Sequence, residues 1–218
     1  MMKTIPFSDV ECALQVVAET AIANEAYFSE LDGQCGDGDF GASLATGFRV
    51  VLKEWPALDR SSVGAFLSKV GVIITSNVGG CSGPIWGTGF IRAAGVSRDK
   101  QELSVPDLAA MLRCAIEGIM ARGGAKLGDK TILDALEPVA RLLEEWSTRP
   151  DPSPGNELLQ KAAETAGAVA EKSRPWTARR GRQSFTGERS GGTLDPGIVA
   201  VGVLLKALSE TFATAPKN

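Results

Sequence analysis

Apolar residues recur at the three- and four-residue spacing of an α-helix through eight successive stretches of this chain, and no stretch makes a convincing strand. The first stretch begins at Ser8-Asp9-Val10-Glu11, a capping-box pattern, and its stripe of Val10, Leu14, Val17 and Ala21 predicts a helix to about Phe28. A second, from Gly41 or Ala42 to Trp55, carries Leu44, Phe48 and Leu52, and Pro56 ends it. Ser61 or Ser62 caps a third, with Val63, Phe66, Leu67, Val70, Ile73 and Ile74 apolar. A fourth opens within a glycine run and continues to Ala94, and Ser104-Val105-Pro106-Asp107 starts a fifth. The sixth begins at Asp129 or Lys130 and the seventh covers about 156–172. Asp195-Pro196 caps an eighth, Ile198 to about Phe212. The expected fold class is therefore all-α: a closed barrel or bundle of eight antiparallel amphipathic helices forming one domain over residues 1–218.

The residues that do not fit a helical period cluster in four places: 32–41, 79–89, 123–130 and 180–197. These are the connections after the first, third, fifth and seventh helices. In an up-and-down arrangement, alternate connections lie at one end of the bundle. The expectation is one site with acidic, glycine-rich and arginine-rich walls, which suits a Mg²⁺-nucleotide.

The acidic wall holds Asp32, Asp37 and Asp39 among four glycines. Three ionised carboxylates this close repel one another, by roughly 4 kcal/mol per pair at ~4 Å and an effective dielectric of about 20. Solvent or a hard divalent cation relieves that cost, so the stretch is either a solvated Asp-Gly turn or an oxygen-ligand metal site. Gly79-Gly80-Cys81-Ser82-Gly83 ahead of a helix can cradle an anion on unpaired amides or let two helices pack closely. It matches neither Gly-x-Gly-x-x-Gly nor the lysine-bearing phosphate loop. Asp129 and Lys130 read as a cap and a surface charge, or as groups facing a phosphate or metal. Arg174 to Gly197 contains five arginines, whose forks match phosphate oxygens; the rival is an RNA-binding loop.

Composition narrows the chemistry. The chain has no histidine, which removes imidazole catalysis and most zinc sites. A net charge of −3 weighs against a nucleic-acid partner. There is no run of 18 apolar residues, so no membrane span is expected. Cys12, Cys35, Cys81 and Cys114 are far apart and read as reduced thiols, which points to the cytoplasm.

Four motifs carry a resemblance: Leu31-Asp32 with Gly36-Asp37-Gly38-Asp39 and Gly41; Gly79-Gly80, Ser82-Gly83-Pro84 and Gly87-Thr88; Gly128-Asp129-Lys130-Thr131 with Asp134; and Gly181-Arg182 through Gly187-Glu188-Arg189-Ser190 to Asp195-Pro196-Gly197. Together, in this order, they resemble the nucleotide-binding L subunit of dihydroxyacetone kinases over nearly the whole chain. The resemblance implies an eight-helix barrel with ATP or ADP at one rim and two Mg²⁺ between its phosphates and the three aspartates. It implies Asp32, Asp37 and Asp39 as metal ligands and Phe40, Gly41, Ala42 and Ser43 as the phosphate- and nucleotide-contacting turn. Cys81 and Ser82 would touch the phosphates, Gly123 and Ile132 would border the adenine, and Arg180 or Arg182 with Asp195, Pro196 and Gly197 would close over the nucleotide. Arg180 is also counted with the three aspartates among the catalytic groups. Phe40 stands where the family commonly has histidine, and Cys81 where it often has alanine.

The implied activity is phosphoryl transfer to a short ketose held covalently by a separate K subunit, so that the chain acts only with that partner. The donor is either exchanging ATP or a bound ADP recharged by a phosphotransferase-system protein. A homo-oligomer and a non-enzymatic, nucleotide-sensing regulatory partner are the other options.

Overall fold

The computed structural model describes residues 4–214. Nine α-helices lie among them: α1 Phe7–Ala23, α2 Glu25–Gly33, α3 Phe40–Lys53, α4 Val63–Asn77, α5 Ser82–Val96, α6 Val105–Gly123, α7 Ile132–Ser147, α8 Asn156–Ser173 and α9 Pro196–Thr214. The ninth arises because the first expected helix is broken. Asn24 leaves the helical region at φ −99°, ψ 14°, and its side-chain amide donates to Thr20 O at 2.8 Å. The helix resumes one residue later and runs on to Gly33, five residues past its expected end.

The Ser8–Glu11 capping box does not form. The helix starts at Phe7 with extended Pro6 at its head, and no side chain caps it. Ile5 and Pro6 are held instead in a two-residue strand, β1, antiparallel to β2 (Glu102–Leu103), with Ile5 opposite Leu103. Glu11 turns to Arg60, whose Nε donates to it at 2.6 Å. Ser62 caps α4 as expected, accepting from Ala65 N at 3.0 Å. The sixth expected helix begins at Ile132, where Thr131 and Asp134 form a reciprocal box, rather than at Asp129 or Lys130.

From α3 onward each helix packs against the next in sequence, and α9 packs back on α1, which itself packs on α3, so the ring closes with α2 as a continuation of α1. Closure explains the burial pattern. Phe28, Leu44, Phe48, Phe66, Val70 and Ile74 share one core with Val199, Ala200 and Leu204 of α9. A second cluster joins α6, α7, α8 and α9 through Val105, Leu143, Trp146, Leu158 and Ile198. Among the described residues α9 alone is long and apolar enough to cross a bilayer, although Lys206 and Glu210 interrupt it and it is no run of 18 apolar residues. Its Ile198, Val199, Ala200, Val201 and Leu204 are buried in these cores.

Candidate functional site

All four unusual connections meet at one end of the ring. They enclose a cavity of about 350 Å³ lined by Asp32, Asp37 and Asp39, by Gly79 to Ser82, by Gly123, Ala125, Thr131 and Ile132, and by Arg180 to Gln183 with Asp195 to Gly197.

The acidic wall is built partly from a helix. Asp32 lies in the last turn of α2 and is buried, whereas Asp37 and Asp39 are exposed on the following turn. Phe40 N donates to Asp32 Oδ2 at 3.3 Å. Gly36 lies so close to this carboxylate that a β-carbon there would overlap Asp32 Oδ1. Gly38 has φ +77°, a left-handed backbone open to glycine. One oxygen from each aspartate falls within 4.8 Å of the others. Three carboxylate oxygens with no imidazole or thiolate donor suit a hard divalent cation such as Mg²⁺ or Ca²⁺. The Arg182 guanidinium touches Asp37 and lies 3.3 Å from Asp39, so the arginine loop reaches the triad directly.

The second wall is the start of α5 at Cys81–Ser82, where first-turn N–H groups have no intrahelical acceptor and the positive end of the dipole faces outward. Gly80, at φ +62°, turns the chain into it, and Arg182 Nη2 lies 3.5 Å from where a Gly80 β-carbon would be. The third wall is apolar: Ile85 and Trp86 of α5, Ile119 of α6 and Ile132 of α7. Ile119 falls on the apolar stripe of its helix in the sequence, and a residue on such a stripe looks the same whether it faces a neighbour or a cavity. Ile132 and Gly123 were singled out; Ile85, Trp86, Ile119, Ala125, Thr131 and Gln183 were not.

The fourth wall is residues 174–195. Arg180 Nη2 donates to Gly124 O at 2.6 Å, and its Nε lies 3.6 Å from Asp129 Oδ2. Asp195 Oδ1 accepts from Ile198 N at 2.8 Å and caps α9. Enclosure pushes the Asp195 carboxyl up to about 7, against the pull of the Ile198 and Gly197 amides and of nearby Lys130. Lys130 corrects both expectations made for it: it is fully buried, so it is no surface charge, and it is absent from the cavity lining. Asp129 is buried too, accepting from Lys126 N at 2.8 Å.

Three residues of the expected nucleotide turn stand back from the cavity. Gly41 packs so tightly on α2 that a β-carbon would overlap the backbone of Glu25 and Ser29. Ala42 N donates to Ser29 Oγ at 3.2 Å, and Ser43 Oγ lies 2.8 Å from the position of a β-carbon on Gly79. Phe40 lines the cavity but is buried, its ring 6.2 Å from that of Phe28.

The DAK2 domain profile matches residues 34–210. The "PEP-dependent dihydroxyacetone kinase, ADP-binding subunit DhaL" of Escherichia coli (strain K12) is 37% identical over 187 residues, covering 84% of this chain and 86% of that protein. The "PTS-dependent dihydroxyacetone kinase, ADP-binding subunit DhaL" of Lactococcus lactis is 34% identical over 190 residues, covering 87% and 90%. Among solved structures, the dihydroxyacetone kinase from C. freundii in complex with AMP-PNP and Mg²⁺ superposes with a TM-score of 0.69 at 24% identity, over 97% of this chain and 35% of that one, a likeness of fold. With most of its length matched in sequence and the same helical architecture, this chain belongs to the DAK2 domain family.

Proposed function

We propose that this chain, as one domain, is the nucleotide- and Mg²⁺-binding subunit of a short-chain ketose kinase. The observation that carries the reading is the single cavity in which a carboxylate triad, an amide-rich helix start, an apolar slot and two arginines converge. A nucleotide needs all four: cation-neutralised phosphates, amides for phosphate oxygens, a dry wall for a base and positive charge at the reacting end.

Asp32, Asp37 and Asp39 are the residues that would hold Mg²⁺, which when bound offsets phosphate charge. The first-turn amides of α5 at Cys81 and Ser82 orient phosphate oxygens, and Ile85, Trp86, Ile119 and Ile132 exclude water from the base. Arg180 and Arg182 supply positive charge where the transferred phosphoryl group gains negative charge; positioning and charge neutralisation carry most of such a reaction. Phe40, in place of a histidine, leaves the triad intact in this reading, because its link to Asp32 runs through the backbone N–H that any residue but proline supplies. The sugar is held by a partner K subunit. The two bacterial relatives are described as ADP-binding subunits in PEP- or PTS-dependent kinases, which favours ADP kept in place and recharged by a phosphotransferase-system protein over exchanging ATP.

The test is reconstitution. The chain is mixed with a K subunit carrying dihydroxyacetone, and phosphorylated ketose is measured with ATP alone and with a PEP-driven phosphoryl-relay mixture. Product with the relay and loss of at least about 100-fold in Asp37→Asn are expected. Nucleotide binding without product from dihydroxyacetone, other trioses or tetruloses would replace the kinase reading with a regulatory one.

A further inference from the structure

Lys130 touches nothing in the cavity, yet its surroundings are unlike those of any other cation described here. Its side chain is fully buried, and its Nζ donates to four backbone carbonyls: Ser190 at 2.7 Å, Thr193 at 2.9 Å, Trp176 at 3.0 Å and Arg174 at 3.3 Å. All four belong to the arginine loop and none to the helix that Lys130 precedes. Two come from the strand of chain entering the loop and two from the strand leaving it. Arg179, Arg180, Arg182 and Arg189 all lie between these stems.

Two costs mark the position. Lys130 is the one non-glycine residue with positive φ among the described residues, at φ 62°, in the left-handed region that L side chains rarely adopt. Its charge is also buried away from water, which disfavours the ammonium form. Outliers of this kind persist where the surroundings over-determine them, and they gather at functional sites. Four carbonyls offset the loss of water around the ammonium. Three protons serve four acceptors, so the long bond to Arg174 is a shared one.

We propose that Lys130 is a positioning residue: its ammonium cinches both stems of residues 174–193 onto the start of α7 and thereby sets Arg180 and Arg182 at the rim of the cavity. Neighbouring contacts run the same way. Arg179 N donates to Asp129 O at 3.0 Å, Ala178 N donates to Ser190 Oγ at 2.9 Å, and Cys35 Sγ donates to Arg189 O at 3.2 Å, tying the aspartate turn to the same loop. A neutral side chain of equal length satisfies none of the four carbonyls, and a guanidinium has no room in a fully enclosed site. The consequence for nucleotide binding rests on the kinase reading above; the fastening itself does not.

Two measurements separate them. In the unliganded wild-type protein, ¹⁵N-lysine spectra should show one ammonium protected from exchange, with nuclear Overhauser contacts to Ser190 and Thr193. Absence of that signal overturns the proposal without requiring any variant to fold. In Lys130→Met, amide exchange across 176–193 should accelerate at least about tenfold while the buried turns of α3 and α4 keep their protection. The dissociation constant for Mg²⁺-ADP should rise about tenfold as the arginines lose their fixed geometry. Unchanged exchange in 176–193 overturns the fastening, and faster exchange with unchanged Mg²⁺-ADP affinity overturns the positioning role. If wild type and variant alike fail to bind Mg²⁺-ADP, the kinase reading fails while the ammonium signal and the exchange data still decide the fastening.

Discussion

Asp195 caps α9 with the same carboxylate that its enclosure disfavours, and a pH dependence follows. Its folded value of about 7 lies above the ordinary 3.8 of an unfolded aspartate, so the folded state holds the proton longer. Between about pH 4 and 7 the unfolded chain binds fewer protons than the folded one, and stability therefore falls as pH rises through this window. Asp107 and Glu137 are held below their ordinary values by hydrogen bonds from Ser104 and Arg113, so their contribution is already complete above about pH 4.5 and does not mask the effect. Urea midpoints of the unliganded protein should decline from pH 5 to pH 7.5, and Asp195→Asn, which keeps a capping oxygen, should flatten that decline. An unchanged slope in Asp195→Asn would contradict the assignment. At this scale the three aspartates were legible because close carboxylates among glycines have few cheap explanations. Lys130 was not, because nothing local distinguishes an exposed lysine at a helix start from one whose four acceptors lie 44 to 63 residues away.

Helix boundaries followed their caps where the cap was local and failed where a distant partner won. Ser104 and Asp107 form the reciprocal box at the head of α6, with Asp107 Oδ2 accepting from Ser104 N at 2.9 Å. The same pattern at Ser8 and Glu11 is unused, since β2 fixes the residues before it and Arg60 takes the glutamate. The break at Asn24 left no mark in the apolar stripe, which continues across it. Ser104 lies at the end of the ring away from the cavity. Ser104→Ala should therefore cost about 1 kcal/mol, the usual worth of such a cap. For a chain of this size that lowers the melting temperature by about 2–4 °C. Calorimetry should show that drop with an unaltered dissociation constant for Mg²⁺-ADP; a large loss of affinity would mean that the two ends of the ring are coupled.

Across the whole molecule, the alternation of plain and unusual connections was the most informative feature of the sequence. It needs only up-and-down helices to bring residues 32–41, 79–89, 123–130 and 180–197 to one end, and the cavity is lined from all four. What it did not contain was the inner surface of that cavity, because Ile85, Trp86 and Ile119 lie on helices whose apolar faces serve both core and slot. Closure of the ring through α9 and α1 was likewise expected from the fold rather than readable in either helix. The measurement that bears most directly on the Mg²⁺-nucleotide site is titration calorimetry of ADP and ATP into nucleotide-stripped protein, with Mg²⁺ and then with EDTA, for wild type and Asp37→Asn. Binding that requires Mg²⁺, weakens at least about 100-fold in Asp37→Asn and is tighter for ADP than for ATP is the predicted result, a difference of roughly 2.7 kcal/mol for the substitution. Binding of equal strength in EDTA, or a fully active Asp37→Asn site, would contradict the account.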